Sequence, residues 1–270
     1  MESSEILPPA MALRRLLDPR PVEEARRRPV CNAVNIPLAE LTQRTSELPS
    51  RQDVINVAGS WELTAQTITW LREHGRQARA VADYEYDTDH HEPQPGRLWQ
   101  PSSLLLEVLP QLQPVAALDL ACGTGRDAVY LAGAGWDVTA ADILPDALDR
   151  GRELAGRYAA VLSPICWLVV DFEAGAVNFA HGFDLICMFR YLHRPLFAQL
   201  ARWLKPGGSI LCETFTTLHR ERHGKPARDA HVLQIGELPD LLKDYEIRLF
   251  SEQWHGDRHT ARAWATRPPT

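Results

Sequence analysis

Within its 270 residues the chain has no apolar run approaching the roughly 18 residues that a membrane-spanning helix needs. A membrane is therefore not an expected partner. The opening stretch, Met1-Glu-Ser-Ser-Glu-Ile-Leu-Pro-Pro9, lacks the basic region and apolar core of an export signal. The chain has five cysteines, an odd number, and no C-x-x-C pair. That argues against a disulfide framework and suits a reducing compartment, so a cytoplasmic protein is expected. An excess of basic charge is missing too, with 29 Lys+Arg against 35 Asp+Glu and a net charge of −6. A nucleic-acid backbone is thus not the expected ligand. There is no H-E-x-x-H, no internal repeat and no long low-complexity tract. What the chain does have is a hydrophobic content of 45%, ample for the cores of one large or two modest domains.

The most informative stretch is Leu118-Asp-Leu-Ala-Cys-Gly-Thr-Gly125. It follows the apolar run Val115-Ala-Ala-Leu118, which reads as a buried strand. It precedes Arg126 to Gly133, which reads as a short helix with glycine at its C-terminal end. Strand, glycine turn and helix set backbone N–H groups and a helix N-terminus against a nucleotide-like ligand. Asp119 lies where its carboxylate faces the same ligand, which suits one with a positive end and a ribose. Further runs repeat the theme. Trp136 to Asp142 is a strand ending in a carboxylate placed for ribose hydroxyls. Ile165 to Phe172 ends in Asp171, an acceptor for an adenine amino group, and Phe172, a surface for the ring. Phe183 to Met188 leads into Phe189-Arg-Tyr-Leu-His193, and Leu204-Lys-Pro-Gly-Gly208 introduces a fifth strand, Ser209 to Phe215. The spacing Gly123-Thr-Gly125-Arg-Asp-Ala128 also fits the G-x-G-x-x-G/A pattern of dinucleotide-binding folds.

This series resembles the class I S-adenosylmethionine (SAM)-dependent methyltransferases across roughly residues 97–267. The resemblance implies an α/β, Rossmann-like, seven-stranded and mostly parallel sheet with an antiparallel strand 7. Tyr245 to Phe250 and His259 to Thr266 would form its terminal hairpin. It implies SAM contacts from Asp119, Ala121, Gly123, Gly125, Asp142, Ile143, Asp171, Phe172 and Met188. Ala121 departs from the pattern, since many members carry glycine there. Arg-Tyr-Leu-His-Arg at 190–194 and Glu213-Thr-Phe215 are similar to stretches of tellurite-resistance-type, small-acceptor methyltransferases. The acceptor itself does not follow from that likeness.

The acceptor side implied by the resemblance is the loop after strand four, with Arg190, Tyr191 and His193. Arg190 or Arg194 suits an anionic acceptor. For His193 two readings stand, a general base or a helix N-cap before Pro195. For Trp99 likewise, the methionine end of SAM or plain packing of a helix that Ser102 or Ser103 caps after Pro101. His219 and His223 have a helical metal spacing, and the alternative is a loop over the site. No metal is expected.

Residues 83–96 hold five acids, prolines and a glycine without Lys or Arg. They read as a linker, with His90-His91 as a metal alternative. Residues 1–82 alternate short strands and helices, including a helix over Leu41 to Leu48, a strand over Asp53 to Ala58 and a helix over Thr64 to Gly75. Asp18-Pro-Arg20, Glu24 and Ala33-Val-Asn-Ile-Pro37 resemble two stretches of the rhodanese domain. The resemblance implies a catalytic cysteine in the loop after the Asp53 to Val57 strand, and Ala58 stands there instead. An alanine is no nucleophile, so sulfur transfer is not expected unless Ser60 or Cys31 substitutes. The remaining roles are docking to a protein partner, self-association or regulation. The expectation is thus 1–82 rhodanese-like, 83–96 linker and 97–270 methyltransferase acting on a small molecule. A SAM-binding scaffold, an NAD-dependent oxidoreductase and a nucleic-acid methyltransferase are the alternatives.

Overall fold

The computed structural model describes residues 7–88, 96–175 and 177–269. The chain separates into two compact units, Met1–Gln100 with Arg157–Val161, and Pro101–Gly156 with Leu162–Thr270.

The first unit has strands β1 (Leu16–Asp18), β2 (Ala33–Asn35), β3 (Val54–Val57) and β4 (Gln77–Ala80), with helices α1 (Val22–Arg27) and α2 (Trp61–Glu73). The strands pair in parallel in the order β2-β1-β3-β4. Leu17, Ile55 and Val57 lie in one core with Ile36, Leu41, Leu48, Leu71 and Leu98. Parallel strands need crossovers, and the alternation of short strands with helical segments supplies them.

Several expectations for this unit are corrected. The helix over Leu41 to Leu48 is replaced by two isolated 3₁₀ turns, Leu38–Glu40 and Thr45–Glu47. Thr42, Thr45 and Ser46 are weak helix formers. Arg44 ties the turns together through Glu40 at 3.0 Å and Glu47 at 2.7 Å. Helix α2 begins at Trp61, three residues earlier than its apolar spacing indicated. The acidic stretch is not a free tether from Asp83 on. Tyr86 bridges Val30, and the Cys31 and Asp87 amides donate to Glu85 and Pro29 carbonyls at 2.9 Å. The Arg28 guanidinium stacks 3.6 Å from the Tyr86 ring centroid, which holds the segment down. At the far side, Arg97 is buried and donates to the Met11 and Trp99 carbonyls. The unit therefore runs to Gln100 rather than to residue 82. His90 and His91 lie outside the described residues.

The second unit opens with α3 (Ser103–Val108) and carries β5 (Ala116–Leu120), α4 (Arg126–Gly133), β6 (Asp137–Asp142), α5 (Pro145–Gly156) and β7 (Ile165–Val169). It continues with β8 (Phe183–Phe189), α6 (Arg194–Trp203), β9 (Leu204–Phe215), α7 (Thr217–His223), α8 (Glu237–Leu241), β10 (Glu246–His255) and β11 (Arg258–Thr266). The seven strands run β10-β11-β9-β8-β5-β6-β7. β5 to β9 are parallel, and β11 is antiparallel to both β9 and β10. All five residues of β5 are buried, as expected for a central parallel strand covered on both faces. The Lys205-Pro-Gly-Gly208 stretch lies inside β9. Phe183 pairs with Leu204 and Leu185 with Ser209, so the four residues between loop out as a bulge rather than precede the strand.

This order places a switch point between β5 and β8. From β5 the chain adds β6 and β7 on one side and then returns to the other. Ligands in open α/β sheets bind in the crevice that opens there, beyond the carboxyl ends of the strands.

Candidate active site

Two adjoining cavities open at that switch point. The first, about 300 Å³, is lined by the turn after β5 (Asp119, Ala121 to Thr124), the start of α4 (Arg126, Asp127) and the end of β8 (Phe189, Arg190). The second, about 390 Å³, is lined by Asp142 and Ile143 after β6, Val170 to Glu173 after β7, and Arg190 and Tyr191 after β8. Ala121 and Arg190 line both.

The turn is a run of left-handed residues, with φ 54° at Ala121, 56° at Gly123 and 68° at Gly125. Gly123 faces open space, since an added Cβ there meets nothing within 4 Å. At Gly125 the reason for glycine differs. A Cβ would lie 2.5 Å from Trp167 Cη2, whose ring from β7 also presses on Gly151 of α5. Gly125 is buried and lines neither cavity; it lets helix and strand close on the indole. Ala121 holds a conformation that costs an L-residue roughly 1–2 kcal/mol, so its departure from glycine carries strain.

Asp119 is 2% exposed. It accepts the Ala128 amide, while its Oδ2 is fully buried without a partner. Burial, and next the charge of Asp127, hold its pKa well above the usual carboxylate range. Asp127 is likewise buried and raised by desolvation, and it accepts the Ser102 amide at 2.6 Å. Asp142 receives the Gly123 amide at 2.8 Å and the Leu144 amide at 3.0 Å, which fixes its carboxylate at the seam of the turn. Asp171 is exposed, turned by the Glu173 amide at 2.8 Å. Phe172 lines the second cavity but belongs to the core, 6.1 Å from the Trp203 ring.

Of the residues the sequence pointed to, Asp119, Ala121, Gly123, Asp142, Ile143, Asp171, Phe172, Arg190 and Tyr191 are brought together here. Three are not. Met188 is fully buried in β8, because inward positions of a doubly covered strand face core and not crevice. Gly125 serves packing. His193 occupies the N-cap position of α6 and lines neither cavity. Trp99 also belongs elsewhere. It is 1% exposed in the first unit, donating to the Tyr158 hydroxyl at 3.2 Å. Arg194 is spent on Glu237 at 2.8 Å and on the Val232 carbonyl at 2.9 Å. His219 and His223 rings sit 4.5 Å apart, but among the described residues no group of three or more potential metal ligands gathers.

Sequence reasoning missed Arg126, Asp127 and Glu173. An Arg-Asp pair opening a helix looks like ordinary first-turn charge, and only the turn's curl brings both to the cavity. Among the described residues Arg126 has no ion pair, and burial, then Arg190, lowers its pKa.

Residues 117–208, the stretch that contains both cavities, match the family model described as a methyltransferase domain. The match to a methyltransferase domain covers this stretch, which is less than half of the chain. The solved structure of TehB from Haemophilus influenzae is similar at 21% identity and TM-score 0.52, with 62% of each chain covered. The N-methyltransferase NodS from Bradyrhizobium japonicum is similar at 21% identity and TM-score 0.50, covering 61% of this chain and 92% of that one. These likenesses show the fold. An uncharacterized protein of Schizosaccharomyces pombe, UNK4.09, is 22% identical over 80% of this chain and 81% of its own length. Among the described residues no helix is long and apolar enough to cross a membrane.

Proposed function

We propose that the methyltransferase domain moves the SAM methyl group to a small-molecule acceptor. The observation that carries this reading is the buried, unpartnered Asp119 Oδ2 at the mouth of the switch point. A buried acceptor without a donor costs about 1–3 kcal/mol, and a ligand ammonium in the first cavity relieves it. The residues present fit the whole cofactor. Asp119 suits the ammonium, Arg126 the carboxylate, Asp142 the ribose, and Asp171 with Ile143 and Phe172 the adenine.

When bound, SAM supplies an electrophilic methyl carbon on a sulfonium sulfur. The chain has to hold that carbon in line with the acceptor's lone pair and keep water out. Arg190 is suited to the border between the two compartments, being common to both. Its left-handed backbone, φ 58°, is pinned by its amide on the Glu213 carbonyl at 2.7 Å. Tyr191, whose hydroxyl pKa burial and Glu173 push upward, stays a neutral phenol and hydrogen-bond donor. His193 as a base has less support, because among the described residues no histidine lines either cavity.

For the first unit we propose a rhodanese-like module without sulfur-transfer chemistry, serving docking to a protein partner, self-association or regulation. Its support is the parallel sheet together with Ala58, fully buried where a nucleophile would have to be exposed.

The test is calorimetric titration of SAM, S-adenosylhomocysteine (SAH) and NAD into the whole chain and into Asp142→Ala. SAM and SAH bind and NAD does not, and the variant loses roughly 100-fold, as about 1.5 kcal/mol for each of two hydrogen bonds to a charged group implies. Binding of NAD alone overturns the reading. Tight SAM binding with no turnover on thiols, carboxylates or oxyanions favours a scaffold instead.

A further inference from the structure

We infer that the first unit binds a small, uncharged and mainly apolar molecule, in a cavity of its own. The cavity measures about 470 Å³, within the range of about 300–1,000 Å³ usual for small-molecule sites. The described residues that line it all belong to the first unit, of which Arg157 and Tyr158 are part. It lies where α1 and the two 3₁₀ turns meet the edge strand β2. Neither Ala58 nor Ser60 lines it, so it is separate from the corner where sulfur chemistry would be sought. The apolar part of the lining is Val22 and Ala25 of α1, Pro29 and Val30 after it, and Ala33 and Val34 of β2. Protein interiors hold few voids larger than a water molecule, so a space of this size among aliphatic groups is a receptacle rather than a packing fault.

The charged part of the lining decides what the cavity accepts. Asp18, Glu40 and Glu47 stand against Arg26, Arg44 and Arg157, which leaves these residues with no net formal charge. The buried groups among them are already paired. Asp18, 2% exposed, accepts from Arg20 at 2.8 and 2.7 Å. Glu47, 5% exposed, accepts from Arg44 at 2.8 and 2.7 Å and from Arg157 at 3.0 and 2.9 Å. Arg44 gives its remaining terminal nitrogen to Glu40 at 3.0 Å. Arg26 stands at the exposed rim, 3.7 Å from Glu23. The neutral polar groups are committed as well. Asn35 donates its two amide protons to the Asp18 and Arg20 carbonyls at 2.9 and 2.8 Å. The Tyr158 hydroxyl accepts the Trp99 indole N–H and donates to the Gly96 carbonyl, both at 3.2 Å. A charged ligand has to break one of the buried pairs, and a stranded buried charge costs more than the exchange returns. An uncharged ligand leaves every pair in place and gains by covering the apolar wall. The arrangement is the reverse of the one at Asp119, where a buried oxygen is left over.

The experiment is a fluorescence titration of the full chain with two probes that differ chiefly by a sulfonate. One is the neutral N-phenyl-1-naphthylamine and the other the anionic 8-anilino-1-naphthalenesulfonate. Wild type binds the neutral probe saturably and the sulfonate at least tenfold more weakly. Saturating SAH changes the affinity for the neutral probe less than twofold, which sets its site apart from the cofactor's. Ala25→Phe and Ala33→Phe, each putting a ring into the cavity, bind the neutral probe at least tenfold more weakly while thermal unfolding stays cooperative. No saturable binding, equal or tighter binding of the sulfonate, displacement of the neutral probe by SAH, or unchanged affinity in a folded variant overturns the inference. Should both variants fail to fold, the two probes on wild type with and without SAH still decide it. Failure of SAH itself to bind brings down the methyltransferase reading and leaves this one standing.

Discussion

One strand–turn–helix corner in each unit is built on the same plan, and the two spend their turns differently. In the first unit, β3 runs through Val57-Ala58-Gly59-Ser60 into α2. In the second, β5 runs through Leu120 to Gly125 into α4. In the first corner the turn is spent on the fold. The Ala58 amide donates to the Leu17 carbonyl at 2.9 Å, and the Ala58 side chain is fully buried. The carboxylate at a neighbouring strand end, Asp18, is taken by Arg20 through two side-chain hydrogen bonds of 2.8 and 2.7 Å. In the second corner three left-handed residues curl the turn away from the sheet, and Asp119 keeps one oxygen unsatisfied. A carboxylate at a strand end is therefore not itself a binding site. At Asp119 one buried oxygen stays unpaired, which leaves it available to a ligand.

The comparison breaks most sharply at Gly125. Gly125→Ala combines a left-handed backbone with a contact of 2.5 Å to Trp167 Cη2, backed by Gly151. Overpacking and strain together cost about 3 kcal/mol. Thermal unfolding should show a drop of several degrees, and adding Trp167→Leu should return part of it. If Gly125→Ala melts like wild type while losing SAH, the glycine serves the ligand and the packing argument fails.

Asp119→Asn sharpens the contrast from the other side. The Asp119 pKa is raised in the folded chain, so the folded state holds its proton more tightly than the unfolded state. Its contribution is complete below the ordinary carboxylate range and is lost as pH rises from there through the raised folded value. The amide removes that loss. At neutral pH the variant should melt about 2–4 °C higher, the shift expected from roughly 1 kcal/mol in a domain of this size. Its stability should also depend less on pH, while SAH affinity drops about tenfold. A variant that is both less stable and unchanged in SAH affinity contradicts the assignment.

A smaller effect is expected from Ala121→Gly. Relief of the left-handed strain is offset by the greater chain entropy of unfolded glycine, about 0.5–1 kcal/mol. Urea unfolding should show a net change below about 1 kcal/mol, on the stabilising side, with SAH affinity kept. The smallest effect belongs to the first corner. Ala58→Cys puts a thiol at a position with 0% exposure. Sulfur transfer from thiosulfate to cyanide should stay at background in wild type and variant alike. A measurable rate in either one would show that this corner keeps its chemistry.

Much of this organisation is legible in the residues alone. Period and punctuation are local signals, and β5 with its five buried residues, α4 from Arg126 to Gly133 and the acids closing β5 and β6 follow from them. So does the absence of a cysteine from the loop after β3, because a missing side chain needs no coordinates. Other features depend on how distant segments meet. That Gly125 answers to Trp167, forty-two positions on, and Asp119 to Asp127 and Ala128 is set by the closing of strands against helices. His193 and Met188 carry the right chemistry in the right neighbourhood, yet the start of α6 and the doubly covered sheet place one outside the cavities and the other in the core. The sequence by itself determined which groups could bind a cationic, ribose-bearing cofactor. Only the tertiary structure decided which of them were left unpaired, because pairing depends on burial and on partners far along the chain.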